Sequence, residues 1–183
     1  MIKYILFCTF LLSMISCSKL KLNTTEQQLF DVYNIEDTLI FQSLQTGTFR
    51  HFKIIDKRND NPPVIATFSE GSGFDRSRDA IIQYLDLDYG SNQSILDIEN
   101  SRKSETIRSR FEGFQGSFST SALDSERTKS TDTLNYLGKK IINYYIFSDN
   151  ISTILIWQKK YGIVMYISAG EKFVRTNIPN IIK

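Results

Sequence analysis

Ile154-Leu155-Ile156-Trp157-Gln158-Lys159-Lys160-Tyr161-Gly162-Ile163-Val164-Met165-Tyr166-Ile167 is the stretch whose reading decides the fold. Two short runs of β-branched and aromatic residues flank the polar break Lys159-Lys160-Tyr161, and each run is too brief for a helix and rich in strand formers. A similar run, 140–147 (KIINYYIF), precedes them across Ser148-Asp149-Asn150, and another, 172–175 (KFVR), follows Ser168-Ala169-Gly170. Short turns between successive strands imply an antiparallel meander.

The same pattern extends toward the N-terminus. Runs 38–43 (TLIFQS) and 48–55 (TFRHFKII) flank Gln45-Thr46-Gly47, a hairpin signal. In 80–88 (AIIQYLDLD), Ile82, Tyr84, Asp86 and Asp88 share one face and Ile81, Gln83, Leu85 and Leu87 the other, the alternation of a half-buried strand. Runs 95–99 and 104–111 continue the series. Pro62-Pro63 break pairing, 64–68 resumes it, and a glycine-bearing loop spans 69–73. The Ser/Thr-rich stretch 117–132 reads as a long loop, and no segment carries a long helical period, although 26–32 has room for a turn or two. The expected fold class is therefore all-β: a curved antiparallel meander that forms a small, closed or open, barrel or folds over itself as a sandwich.

At 183 residues the chain has room for one such domain with a core that needs no staples. Its first residues, MIKYILFCTFLLSMIS, combine Lys3 with an apolar run shorter than the roughly 20 residues of a membrane-spanning helix, so 1–16 reads as a cleavable signal peptide. Residues 17–28 then read as a modified cysteine and flexible tether with a reach of roughly 18 Å, and 29–183 as the β-rich domain. If Cys8 leaves with the leader and Cys17 is acylated, no thiol remains for disulfides, zinc or nucleophilic chemistry. Without Lys3 the chain carries 21 Lys and Arg against 20 Asp and Glu, a balance that argues against nucleic acid as partner.

Met14-Ile15-Ser16-Cys17 resembles the lipobox of bacterial lipoproteins. The resemblance implies cleavage between Ser16 and Cys17 and lipid attachment at Cys17. Met14 replaces the favoured leucine with another bulky apolar side chain. The run 154–166 followed by Gly170-Glu171-Lys172-Phe173-Val174-Arg175 looks like the closing hairpins of small uncharacterised outer-membrane lipoproteins of Bacteroidota, and Asp37-Thr38-Leu39-Ile40-Phe41-Gln42-Ser43 with Thr46-Gly47 looks like their opening hairpin. These are motifs of fold and carry no assigned chemistry. Surface-exported members often have acidic residues after the cysteine. Here Ser18-Lys19-Leu20-Lys21 follows, which implies the periplasmic face of the outer membrane, with the cell surface as the alternative.

Candidate sites are few. His51 is the only histidine, and a lone imidazole builds no metal site, so no metal and no cofactor are implied. Asp86 and Asp88, i and i+2 on one strand at about 7 Å, are the nearest approach to a catalytic carboxylate pair. Asp86-Leu87-Asp88-Tyr89-Gly90 also faintly resembles a calcium loop, with its glycine one place early and the twelfth-position glutamate missing. Arg108, Arg110 and Glu112 alternate as one charged strand face. Tyr144, Trp157 and Tyr166 are candidates to line an apolar ligand cavity in a curved sheet. Asp132-Thr133-Leu134 matches an Asp-Ser/Thr-apolar O-glycosylation triplet, with Thr133 as acceptor, and Asp37-Thr38-Leu39 matches it too, with Thr38 in a strand.

No nucleophile with its base and no phosphate loop is visible, so the expected function is non-enzymatic. The chain reads as a lipid-anchored envelope protein whose domain contacts another envelope component. The alternative is a binding module that holds an apolar or lipid ligand in a half-barrel.

Overall fold

The computed structural model describes residues 22–60, 77–101, 105–118, 129–130, 133–148, 154–178 and 181–182. The expected runs 64–68 and 69–73 lie outside them. One helix, α1 (Thr24–Asp31), precedes β1 (Thr38–Ser43), β2 (Phe49–Asp60), β3 (Ser77–Asp86), β4 (Asn92–Ser101), β5 (Glu105–Phe111) and β6 (Phe114–Phe118). Then come β7 (Lys129–Ser130), β8 (Leu134–Tyr136), β9 (Lys139–Ile141), β10 (Tyr144–Ser148), β11 (Ile154–Gln158), β12 (Gly162–Ser168), β13 (Glu171–Arg175) and β14 (Ile181–Ile182).

Strands β1 to β6 pair in chain order as one antiparallel meander, and β10 to β13 as a second. Antiparallel pairing of β13 with β1, Phe41 opposite Arg175 and Ser43 opposite Phe173, joins the two. The joined sheet coils until β10 lies beside β6 without a ladder between them, a nearly closed, unsealed barrel. The all-β expectation holds, and the choice between barrel and sandwich falls to the barrel.

Local chemistry sets the hairpins. In Glu112-Gly113, between β5 and β6, both central residues have positive φ, 50° and 84°, the turn whose twist matches that of the strands. Leu137-Gly138 and Ala169-Gly170 repeat it. Asn143, at φ 54°, breaks what the sequence suggested was one strand over 140–147 into β9 and β10, because a left-handed residue cannot continue a ladder. The expected loop 117–132 is likewise corrected at its ends, where β6 includes Ser117 and Phe118 and β7 occupies Lys129 and Ser130.

Alternate side chains fill the barrel. Phe111 is the hub, with the ring centroids of Phe41, Phe52, Tyr84 and Tyr166 all within 5.6 Å of its own. Strands β11 and β12 are apolar on both faces because both are buried: Leu155, Trp157, Ile163 and Tyr166 face the barrel, while Ile156, Val164 and Met165 join Ile141, Tyr144, Val174 and Ile178 in a second cluster. The small sheet β14-β9-β8 contributes Ile141 to that cluster and packs Leu134 and Tyr136 against it. A bulge makes this possible. Ile156 opposes Met165 and Trp157 opposes Ile163, so the extra residue Val164 turns outward with Met165.

Helix α1 replaces the expected tether over 24–28, takes in the turn or two expected within 26–32, and leaves 17–21 outside the described residues. Asn23 and Glu26 form a capping box, with Glu26 N donating to Asn23 Oδ1 at 2.8 Å and Asn23 N to Glu26 Oε2 at 2.7 Å. The helix then buries Leu29 and Phe30, with Tyr33 just beyond it, in the barrel core. These apolar residues are too few to give a long period, yet they suffice for two turns that pack. The Tyr33 hydroxyl accepts from Ile163 N at 3.0 Å, and burial pushes its pKa up to about 12.

Gly162 sits beneath Tyr33 with φ +73°, where an added Cβ would lie 2.5 Å from the Tyr33 hydroxyl. Gly162→Ala is expected to cost about 2 kcal/mol or more, combining the left-handed penalty with the clash. Urea unfolding would show the lower midpoint, and limited proteolysis would cut first near α1.

Candidate functional site

Strand β12 runs from Gly162, beside Tyr33 and α1, to Ser168, whose hydroxyl lies 3.6 Å from where a Gly113 Cβ would be, and so links the two ends of the barrel. At the Gly113 end the inward-facing Arg50 of β2 gathers three carboxylates. Its Nη2 lies 2.7 Å from Asp86 Oδ2 and 3.0 Å from Glu112 Oε2, and its Nε 3.5 Å from Asp88 Oδ2. The guanidinium is held between two rings, 4.4 Å from the Tyr89 centroid and 5.4 Å from that of Phe52.

Asp86 organises this end. One carboxylate oxygen accepts from the amides of Asp88 and Tyr89, at 2.9 and 3.1 Å, and the other takes Arg50. Its own amide donates to Ser91 O, and its carbonyl accepts from Gly90 N, both at 2.8 Å. The side chain is buried on both counts, as turn cap and as ion partner. Asp88 has therefore left the strand. It lies in the turn after β3, where its carboxylate accepts from His51 N at 2.8 Å. The expected carboxylate pair on one strand face does not exist, because β3 ends at Asp86. The calcium-loop resemblance fares no better, since both Asp86 oxygens are engaged. Among the described residues no group of three His, Cys, Asp or Glu side chains is placed to hold a metal ion.

Glu112 is the second correction. Arg108 and Arg110 are exposed on β5, Arg108 pairing with Glu99 at 2.9 Å, but Glu112 stands in the hairpin turn and reaches back to Arg50. Its left-handed conformation takes it off the face that strand alternation assigned it. Burial raises its pKa, with Arg50 opposing. Two tyrosine hydroxyls face the same network. Tyr84 donates to Gln93 Oε1 at 3.3 Å, while the wholly buried Tyr166 hydroxyl has no hydrogen-bond partner, and burial raises both pKa values.

Around this network the rim is apolar and exposed. Phe49 and Leu87 are each 49 % exposed and Tyr89 75 %. Phe49 stacks on His51 with centroids 6.4 Å apart on the outer face of β2, and Leu87 N donates to His51 O at 2.9 Å, which ties the turn after β3 to that strand.

Tyr144, Trp157 and Tyr166 are not brought together. Trp157 and Tyr166 face the barrel, while Tyr144 faces the second cluster. The cavity that Trp157 lines with Tyr33, Phe147 and Leu155 measures about 20 Å³, room for about one water. A larger hollow, about 520 Å³, lies on the surface beside α1 between Leu22, Val32, Lys159 and Lys160. Thr133 is exposed just before β8 and Thr38 is half-buried in β1, while Ser16 and Cys17 lie outside the described residues. Asp86, Asp88 and Glu112 each stood out in the sequence, but nothing there joined them to Arg50, because the members come from three separate hairpins. Compared with known proteins, the chain matches no family model, no curated protein and no solved structure.

Asp86→Ala is expected to destabilise the domain by about 3 kcal/mol, since it removes a buried carboxylate, strips the half-buried Arg50 guanidinium of its shortest contact and uncaps the turn. Equilibrium unfolding would show it. The raised Glu112 pKa means that the folded state holds this proton to higher pH than the ordinary value of 4.5. Stability from this group is thus present at low pH and lost as pH rises through the folded value. Relative to Glu112→Gln, the wild-type thermal midpoint should fall as pH rises above the ordinary value of 4.5.

Proposed function

We propose that this chain is a lipid-anchored bacterial envelope protein, non-enzymatic, whose barrel presents a rim to another envelope component. The observation that carries the reading is the polarity of the molecule. Only residues 18–21 separate Cys17 from Leu22, where the described chain begins, a span that cannot exceed about 18 Å. An acylated Cys17 therefore holds the α1 end of the barrel close to the lipid. The exposed rim of Phe49, Leu87 and Tyr89 then lies at the far end, beyond the length of β12, and points away from the membrane.

The alternative, an apolar or lipid ligand held inside, finds less support. An acyl chain needs a pocket of several hundred Å³, whereas packed aromatic rings leave about 20 Å³ around Trp157. The periplasmic face of the outer membrane remains the proposed address, from Ser18-Lys19-Leu20-Lys21, with the cell surface as alternative.

Cys17→Ser should leave a precursor longer by the leader, unlabelled by palmitate and released from the membrane fraction. If the variant still matures and sediments with the outer membrane, the anchor reading fails.

A further inference from the structure

The ion network at the rim is incomplete in a particular direction. Three carboxylates share one guanidinium, a formal charge of −2. Glu112 contacts Arg50 through Oε2 alone. The Tyr166 hydroxyl, with no exposed surface, faces Glu112, Arg50 and Asp86 without a hydrogen-bond partner. Asp88 and Glu112 keep exposed carboxylate surface, and the local field calls for a cation. Burying like charges around too few counter-charges is costly unless a further partner supplies the missing charge.

Beside this deficit stands an apolar surface that is rigid as well as exposed. Asp86 fixes the Leu87–Tyr89 turn through two amide hydrogen bonds, and Arg50 holds the Tyr89 ring at 4.4 Å. A turn tip is ordinarily polar, and one carrying leucine and tyrosine at high exposure on either side of Asp88 has the composition of a binding surface. Little side-chain freedom would be lost on contact, because the tip is already held in place.

We infer that the rim around Arg50 docks a protein segment that presents an arginine or lysine next to a large apolar side chain. The cation meets Asp88 and Glu112, and the apolar group covers Leu87 and Tyr89. Charge complementarity selects this partner over an acidic or a purely apolar one. The inference rests on the proposed function, which supplies an envelope protein for the rim to meet, and names the chemistry that this protein must carry.

The probe is the peptide acetyl-Leu-Arg-Trp-Arg-amide, titrated into ¹⁵N-labelled residues 18–183, which contain both hydrophobic clusters whole. The control replaces both arginines with citrulline, equal in shape and uncharged. Saturable shifts are expected at the amides of Leu87, Asp88, Tyr89, Gly90 and Gly113, with binding about three- to fivefold weaker for the citrulline peptide. Glu112→Gln, which keeps the side chain's shape, should close most of that difference, and Tyr89→Ser should weaken both peptides alike. Dispersed amide spectra would show that each variant is folded. Equal binding of the two peptides, shifts confined to 159–161, or no binding overturns the inference. The Cys17→Ser fractionation is independent of this test. Peptide binding with normal maturation of that variant would leave the rim standing and sink the envelope reading, and the reverse pair of results would do the opposite.

Discussion

Strands β11 and β12 carry apolar side chains on both faces, and burying both faces at once is the constraint around which the remaining strands are arranged. One face closes the barrel against Leu29, Tyr33 and the aromatic interior, and the other packs on the small sheet β14-β9-β8. A strand with two apolar faces is stable only as an inner layer. The bulge at Val164 reconciles the two demands, since strict alternation would have sent Val164 and Met165 to opposite sides. The break at Asn143 serves the same end by moving the chain from the outer sheet at Ile141 into the barrel wall at Tyr144.

The two ends of the barrel are closed by different chemistry. At one end α1 inserts Leu29 and Phe30, with Tyr33 just beyond, and the Tyr33 hydroxyl there is satisfied by Ile163 N. At the other end the plug is Phe111 with its neighbouring rings, and directly beyond it the chain places Glu112, Arg50 and Asp86. An apolar lid would have sealed that end more cheaply, because buried ion groups rarely out-stabilise well-packed hydrocarbon. The ion network is therefore better understood through what it holds in position, the Leu87–Tyr89 tip, than through any contribution to stability.

This division gives the domain a direction. The N-terminal segment enters at the α1 end, where Lys159 and Lys160 flank a surface hollow, while the exposed aromatic side chains lie at the opposite rim. On the proposed reading, this difference lets one end face the lipid anchor and the other a partner.

The chain's periodicity by itself determined that the fold is β, where most strands lie, that Ile82, Tyr84 and Asp86 share one face of their strand, and that Gln45-Thr46-Gly47 turns a hairpin. Those are local properties: alternation and turn chemistry act over a few residues. The short motif at Cys17 likewise carries its expectation within four residues. Helix α1 was legible only as room for a turn or two over 26–32, because two helical turns make too short a period, and the split at Asn143 was not legible, because asparagine only permits a left-handed conformation and does not demand one. Only the tertiary structure decided that β13 pairs with β1, that Tyr144 faces away from Trp157 and Tyr166, and that Arg50 draws Glu112 and Asp86 to one rim. Each of these depends on how distant strands are brought into register, and register between distant strands is set by the burial of whole faces, which no single segment encodes.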